Sequence, residues 1–381
     1  MDDFEVRQHL ADLTVVVYSR NRLGYLHGVV KYWSRWPVSV IVLDGSDQPV
    51  DKESFDAGEA RLILHSEISI NGRFSFAASQ LDTPFACLHS DDDFTLARGA
   101  AQTIAWLKAN PEISCVASDV LVFTESRESA GVDSGRSVMS EEPGQRLAEH
   151  FSDYRFSYFY GIQWASHLSI ALNAVVEATA CREFVEYPDD AAGYELGMEI
   201  CGAALGRLSK SPDVLLLKRV GNEDRVAGGQ RSNEWLEDPN AQLAVRAWRS
   251  ILSQHLAPHL DDSESTVDSQ IAEAMRLFCQ QEKIKEQERA RTLQLISAIA
   301  RFLKPKSNTT RETQSSTLTS LLHRSHTFSF RALRGTYRAS MKALFRPRPN
   351  VFTISELGCA DPLDLQDVIT ILDGNYDRSK V

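Results

Sequence analysis

Three consecutive aspartates, Asp91, Asp92 and Asp93, follow directly after a short apolar segment at residues 85–89. Adjacent carboxylates repel one another unless a cation or hydrogen-bond donors compensate their charge. Mg²⁺ and Mn²⁺ prefer oxygen ligands, often one or two carboxylates together with phosphate oxygens. In an extended segment Asp91 and Asp93 lie on the same side of the backbone, so the triplet predicts a divalent-cation site. The alternative interpretation is a solvated acidic turn, with Asp93 or Thr95 capping the next helix.

Strand-like and helix-like segments alternate on both sides of the triplet. Short apolar runs, most of them rich in β-branched residues, predict buried strands at 13–18, 38–43, 61–65, 85–89 and 114–123. Helical spacing of apolar residues predicts helices at 23–33, 74–81 and 96–109. This alternation predicts an α/β fold with a mostly parallel sheet flanked by helices.

The polar turns after these strands are expected to meet at one edge of the sheet. Ligands of such sheets bind outside the carboxyl ends of the strands. Three turns belong to that edge, at 19–22, 44–46 and 91–93. The sequence therefore predicts that the aspartate triplet faces residues of the first two turns.

The pattern changes after residue 125. The Ser-, Gly- and Glu-rich segment 125–144 predicts a loop. Further elements are predicted as a helix at 194–205, a strand at 214–220 and helices at 242–256 and 266–303. Residues 305–320 are Ser/Thr-rich and predict a linker, residues 323–345 predict a basic amphipathic helix, and residues 350–381 form an acidic tail.

Composition and charge exclude several classes of protein. The chain has 381 residues, 43% hydrophobic and 24% charged, which is typical of globular domains. Its net charge of −11 is uneven, because 301–348 holds eleven Lys/Arg and one acidic residue, Glu312. The acidic remainder argues against nucleic-acid binding. The basic stretch 301–348 is expected either to contact an anionic membrane surface or to dock on the acidic body of the chain.

The remaining signals favour a cytoplasmic protein. No apolar run approaches 18 residues, and the N-terminal sequence MDDFEVRQHL lacks signal-peptide character. The six cysteines show no CxxC or zinc spacing and are expected to be buried or half-buried free thiols. The expected location is the cytoplasm, with the basic stretch offering peripheral contact with the inner face of the membrane.

Three sequence segments resemble the nucleotide-sugar-binding half of GT-A glycosyltransferases, closest to the broad family-2-like group. They are LTVVVYSRNR, VSVIVLDGS and INGRFSFAASQLDTPFACLHSDDDF, the last carrying a DxD motif written as Asp91-Asp92-Asp93. The resemblance extends more weakly to about residue 235 and does not cover 240–381. It implies a Rossmann-like GT-A fold with a helical C-terminal extension, and transfer of a sugar from a nucleotide-diphosphate sugar to a hydroxyl acceptor. The expected acceptor is a glycan, a lipid-linked sugar or a surface polysaccharide.

The resemblance also implies a division of the chain. The nucleotide-sugar-binding half is 1–125 and the acceptor-binding half is 126–240. The patterns beyond them give a helical extension at 241–305, a basic linker with an amphipathic helix at 306–350 and an acidic tail at 351–381.

Roles for individual donor-site residues follow from the same resemblance. Asp44 matches the acid that reads the nucleotide base, although an Asx-turn residue is the alternative. Arg73 matches a basic residue that often faces the nucleotide or diphosphate, with an ordinary surface arginine as the alternative. Asp91 matches the carboxylate near the ribose and the metal, and Asp93 the direct ligand of Mn²⁺ or Mg²⁺, while Asp92 can substitute for either. Ser19 and Arg22 lie in the turn that wraps the nucleotide.

An inverting transfer needs a carboxylate base that accepts the proton of the acceptor hydroxyl. Glu195 is the first candidate and Asp190 the second, and Glu199 lies one turn after Glu195 on the same face. The histidine that the family often carries after its last strand is missing here, and Arg219 or Arg225 is an alternative diphosphate contact. Trp164 is either a sugar-stacking platform or a core aromatic residue.

Two other functions remain open. A sugar-phosphate nucleotidyltransferase uses a similar sheet, but its Gly-rich loop after the first strand is not matched by the single glycine of 19–24. A catalytically degenerate GT-A protein that binds carbohydrate or nucleotide, or acts as a scaffold, is the non-enzymatic alternative. Metal-dependent nucleotide binding without donor hydrolysis would indicate that alternative.

Overall fold

The computed structural model describes most of the first 302 residues. The described ranges are 1–118, 120–123, 129–133, 137–152, 158–182, 191–211, 215–219 and 236–302. The chain divides into two compact units, one running from Met1 to Cys279 and a second that begins at Gln280. The predicted linker with its basic helix, 306–350, and the acidic tail, 351–381, lie outside the described residues.

The described strands follow several of the apolar runs closely. They are β1 (Leu13–Ser19), β2 (Ser39–Asp44), β3 (Arg61–Ser66), β4 (Phe85–Ser90), β5 (Phe94–Thr95), β6 (Ile113–Ala117), β7 (Val120–Phe123), β8 (Ser129–Asp133), β9 (Ile162–Trp164), β10 (Arg207–Lys210) and β11 (Leu216–Arg219).

The described helices include those predicted from apolar spacing. They are α1 (Asp3–Leu10), α2 (Leu23–Trp33), α3 (Ile70–Gln80), α4 (Ala97–Ala109), α5 (Pro143–Ser152), α6 (Ala165–Ala180), α7 (Ala191–Leu205), α8 (Gln242–Leu260) and α9 (Glu264–Phe302), with a 3-10 turn at Lys52–Ser54. Among these described helices, none combines the length and apolarity needed to cross a bilayer.

The main sheet has the order β10-β6-β9-β4-β1-β2-β3. Its strands are parallel except β9, which pairs antiparallel with β4 and β6. A smaller sheet has the order β5-β11-β7-β8. The predicted α/β class, with its mostly parallel, Rossmann-like sheet flanked by helices, is confirmed, and so is the helical extension.

Both faces of the main sheet are buried. Alternate residues of the central strands enter two separate cores: Val16 and Leu88 pack on one side, and Val15 and Val17 on the other. The first core also takes residues of α6, α7 and α8, and the second takes residues of α1, α2 and α4. Because each fully buried aliphatic side chain contributes roughly 1.5–3 kcal/mol, burial on both sides holds the central strands and the turns that follow them in place.

Three sequence predictions need correction. The single strand expected at 114–123 is two strands, β6 in the main sheet and β7 in the small one. The segment 125–144, expected to be a loop, contains β8, which pairs antiparallel with β7. The helix expected at 74–81 begins one turn earlier, because Ser69 caps α3 by accepting a hydrogen bond from the Gly72 N–H.

Candidate functional site

The first two turns and the aspartate triplet meet at one edge of the sheet. Parallel pairing places Ser19 beside Asp44 and Tyr18 beside Ser90, so β1, β2 and β4 end together. The expectation that the three turns share one edge is confirmed. The Ser19 hydroxyl donates to Asp91 Oδ2 at 2.6 Å across this edge.

The first turn is shaped by Asn21. Its φ of 56° lies in the left-handed region, which asparagine tolerates better than most residues. Its backbone N–H donates to the Ser46 hydroxyl at 2.8 Å, and its side chain exchanges two 3.0 Å hydrogen bonds with Asp47. The turn is therefore tied to the second turn just before Arg22, whose side chain reaches the triplet.

Arg22 joins the first two aspartates of the triplet. One guanidinium nitrogen lies 2.9 Å from Asp91 Oδ1, and another contacts Asp92. Asp91 is only 1% exposed, and burial raises its pKa to about 7 although Arg22 and Ser19 oppose the shift. Its charge is therefore incompletely compensated by these two residues.

The last two aspartates converge on a single hydroxyl. Ser90 Oγ lies 2.5 Å from Asp92 Oδ1 and 3.1 Å from Asp93 Oδ2, but it has only one proton to donate. Asp93 also accepts from the Arg219 backbone N–H at 3.1 Å. Burial, and then the charge of Asp92, raises the pKa of Asp93 to about 7. Burial also opposes ionisation of Asp92, but the Ser90 hydrogen bond and the Arg22 charge outweigh it, so the pKa of Asp92 is lowered.

These contacts suit a divalent cation, because two carboxylate oxygens share one hydroxyl proton and a buried carboxyl group lacks full charge compensation. The oxygens that share a partner belong to Asp92 and Asp93, whereas the sequence pattern paired Asp91 with Asp93. In the part of the chain that the structure describes, no three His, Cys, Asp or Glu side chains form a ready-made metal site. A cation held here would complete its coordination with water and phosphate oxygens, as Mg²⁺ commonly does.

Asp44 is buried at the end of β2, where its carboxylate organises the second turn. Its two oxygens accept from the backbone N–H groups of Ser46 and Val50 at 2.9 and 2.8 Å, and Ser66 Oγ lies at 3.3 Å. Burial opposes ionisation, but these hydrogen bonds outweigh it and lower the pKa of Asp44. This arrangement is the Asx turn that the sequence offered as the alternative to base recognition.

Arg73 is buried on α3 and ties together the ends of β1 and β2. It donates to the carbonyls of Ser19 and Leu43 at 3.0 and 3.3 Å. Gly45 makes room for it, because a β-carbon at that position would overlap the guanidinium. Burial lowers the pKa of Arg73, and the charge of Asp44 opposes that shift.

Glu195, the first candidate base, is half-buried on α7. Burial raises the pKa of both Tyr18 and Tyr160, and the negative charges of Glu195 and Asp93 add to each shift. Both the triplet and Glu195 therefore lie within electrostatic range of the two tyrosines. Asp190, the second candidate base, lies outside the described residues.

Glu199 is a structural carboxylate, and a substrate cannot reach it to use it as a base. It is fully buried and accepts from the backbone N–H groups of Tyr158 and Phe159 at 3.3 and 2.9 Å. His150 Nε2 lies 2.7 Å from Oε2, the same oxygen that accepts from the Tyr158 N–H. Its interpretation as a third candidate base is wrong because none of its surface is exposed.

Trp164 lies at the opposite edge of the sheet. It pairs with Phe85 at the beginning of β4, its ring packs 4.6 Å from that of Phe85, and its indole N–H donates to the Ile113 carbonyl at 2.9 Å. The core interpretation is therefore the right one, and sugar stacking at the triplet is excluded for this residue.

Four residues of the site carried no clear sequence signal. Tyr18, Tyr25, Tyr160 and Lys218 come from segments whose patterns predict only strand, helix or aromatic content. Tyr25 lies under two guanidinium groups, those of Arg22 at 4.7 Å and Arg219 at 4.6 Å from its ring centre. Arg219, one of the two alternative diphosphate contacts, is thus at the site, while Arg225 lies outside the described residues.

Comparisons with known proteins add a distant likeness. No protein-family model matches the chain, and no curated protein matches its sequence. Similar solved structures include S. aureus TarS 1-349 in complex with UDP-GlcNAc, with a TM-score of 0.40, 11% identity and coverage of 72% of this chain and 92% of that chain. TarS 1-349 in complex with UDP gives a TM-score of 0.40, 13% identity and coverage of 72% and 91%. Likeness at this level assigns no activity to this chain.

Proposed function

We propose that this chain is a nucleotide-sugar-dependent glycosyltransferase of the GT-A type. The observation that carries the proposal is the largely buried aspartate triplet at the carboxyl end of β4, which is contacted by Arg22 and by the Arg219 backbone and has Tyr18, Tyr160 and Glu195 nearby. A sugar nucleotide presents a diphosphate that attracts cations and a sugar that must meet an acceptor. The site offers guanidinium groups for the diphosphate, and hydroxyl and carboxylate groups for the acceptor, which fits those two needs.

Asp92 and Asp93, with Asp91 nearby, would hold Mn²⁺ or Mg²⁺. When bound, such an ion supplies charge stabilisation to a departing diphosphate. Arg22 and Arg219 would add hydrogen bonds from guanidinium groups, which suit phosphate oxygens. Ser19 and the turn around it would border the nucleotide, and Asp44 and Arg73 would support that turn from beneath.

The transfer itself is proposed as a direct, inverting displacement. The acceptor oxygen bonds to the anomeric carbon while the bond from that carbon to the diphosphate oxygen breaks, and the diphosphate keeps the electron pair. Glu195 takes the proton of the acceptor hydroxyl. General-base catalysis of this kind contributes about 10²- to 10⁴-fold, and alignment of donor and acceptor contributes much of the rest.

Donor turnover tests this proposal. The full chain is incubated with Mn²⁺ and UDP- or GDP-sugars, with and without simple glycan acceptors, and the released nucleoside diphosphate is measured. Release that depends on the metal supports a transferase. Tight binding without any release points instead to a nucleotide- or carbohydrate-binding protein, and formation of a sugar nucleotide from a sugar phosphate and a nucleoside triphosphate points to a nucleotidyltransferase.

A further inference from the structure

The small sheet brings two basic residues of β11 to the triplet. β11 pairs antiparallel with β5, with Leu216 beside Thr95 and Leu217 beside Phe94. The next residues of β11, Lys218 and Arg219, therefore run past the end of the triplet, where the Arg219 N–H donates to Asp93 Oδ1 at 3.1 Å. The pairing with β5 thus places the backbone of both basic residues next to Asp93, just before β5 begins.

Lys218 and Arg219 reach opposite sides of the site, because successive side chains of a strand alternate. The Arg219 guanidinium stacks on Tyr25 beside Arg22. Lys218 Nζ instead donates to Tyr160 Oη at 2.7 Å and lies 4.3 Å from the centre of that ring. One cation therefore belongs to the Arg22 side and the other to the Glu195 side.

Lys218 lies close to both halves of the proposed reaction. Its positive charge acts on Asp93, and its partner Tyr160 lies near Tyr18, Asp93 and Glu195. An ammonium group has three N–H donors, and among the described residues Tyr160 takes one of them. The Tyr160 hydroxyl limits the rotation of the lysine and leaves N–H donors for a ligand bound at the triplet.

We propose that Lys218, oriented by Tyr160, contacts the phosphate of the donor that is bonded to the sugar, which is the β-phosphate. This inference rests on the proposed function and adds to it the residue that donates a hydrogen bond to the leaving oxygen. As the glycosidic bond breaks, the electron pair stays on that oxygen, and a preoriented N–H group stabilises the new charge. Arg22 and Arg219, on the other side, would face the nucleotide-proximal phosphate.

A comparison of nucleoside diphosphate with monophosphate tests this assignment, because only the diphosphate carries the β-phosphate. Calorimetry with UDP and UMP, and with GDP and GMP, is performed on the full chain in the presence of Mn²⁺. Lys218→Met is expected to weaken diphosphate binding about 10- to 100-fold, the range of a charge-assisted hydrogen bond, and to leave monophosphate binding unchanged. Tyr160→Phe is expected to produce a smaller loss in the same direction.

Lys108→Met is the matched control. Lys108 pairs with Asp12 at 2.6 Å before the beginning of β1, at the other edge of the sheet, so the same change of charge there should leave both affinities as they are. Equal weakening of diphosphate and monophosphate binding by Lys218→Met, or no weakening of either, overturns the assignment. The proposed function still stands in that case if the unmodified chain binds the nucleotide and releases it from the donor. An unmodified chain that binds no nucleotide overturns both.

Discussion

At the residue scale, two glutamates one helical turn apart have different surroundings. Glu195 is half-buried beside Tyr18 and Tyr160, whereas Glu199 is fully buried and serves two backbone N–H groups and His150. Their spacing places both on one face of α7, and that is all the sequence indicates. The two glutamates differ in burial because different residues, some of them distant in sequence, pack against each turn of the helix.

The base assignment predicts opposite effects for the two glutamates. Glu195→Gln is expected to lower kcat about 10²- to 10⁴-fold because the acceptor proton loses its base, in a chain that stays folded and keeps its affinity for the donor. Steady-state kinetics and denaturant unfolding measure these quantities. Full activity in Glu195→Gln would transfer the role to another acid such as Asp190.

Glu199→Gln is the internal control for that experiment. An amide in place of the carboxylate turns an N–H donor toward groups that also donate, which costs roughly 1–3 kcal/mol. The variant should therefore unfold at lower denaturant while its folded fraction keeps the kcat of the unmodified chain. A large loss of kcat with unchanged stability would mean that Glu199 acts in the reaction.

At the element scale, the strands that end at the site were predictable and the elements that cross between sheets were not. β1, β2 and β4 are short apolar runs buried on both faces, a pattern that has few structural alternatives, whereas β3, at the end of the sheet order, is mostly half-buried. The run 114–123 reads as one strand, because nothing in its apolar residues marks the change of sheet after Ala117. β11, which supplies Lys218 and Arg219, was predicted as a strand, but its place beside β5 depends on long-range pairing that periodicity does not encode.

Arg146 illustrates how one side chain holds the helix that carries Glu195. It is buried on α5 and donates to the carbonyls of Ala203 and Ala204 at the end of α7, and to those of Ser140 and Glu141. Carbonyls at the end of a helix have no intrahelical donor. A charged donor also interacts favourably with that end of the helix dipole.

Arg146→Met is therefore expected to destabilise the chain by about 2–4 kcal/mol, since it leaves several buried carbonyls without donors. Chemical denaturation monitored by tryptophan fluorescence measures the change. Arg276→Met is the control, because Arg276 forms an exposed pair with Glu273 within one helix, and solvent screens such pairs so that they contribute little to stability. Equal stability of the two variants would mean that Arg146 does not hold the end of α7.

At the scale of the whole molecule, charge is distributed unevenly along the chain. The segment 301–348 holds eleven Lys/Arg and one acidic residue, in a chain whose net charge is −11. Almost all of this segment lies outside the described residues, so membrane contact stays a prediction from the sequence. Each basic residue near an anionic surface contributes about 1 kcal/mol.

Flotation with vesicles tests that prediction. The full chain should float together with vesicles that contain anionic lipid. It should remain in the bottom fraction of the gradient when the vesicles are neutral or the salt concentration is high. Replacing Arg331, Arg334, Arg338 and Lys342 together with glutamine should abolish flotation without changing donor turnover. Flotation that survives the replacement, or that never occurs, would leave docking on the acidic body of the chain as the role of this stretch.

The most direct test of the whole account is the effect of Mn²⁺ on the affinity for UDP and GDP, measured by calorimetry in the unmodified chain and in Asp93→Asn. If the triplet holds a divalent cation against a diphosphate, Mn²⁺ should strengthen diphosphate binding at least about 10-fold in the unmodified chain, the scale of one strong charge interaction, and hardly at all in Asp93→Asn. Diphosphate binding that is equally tight with and without the metal, or a metal effect that persists in Asp93→Asn, would contradict it.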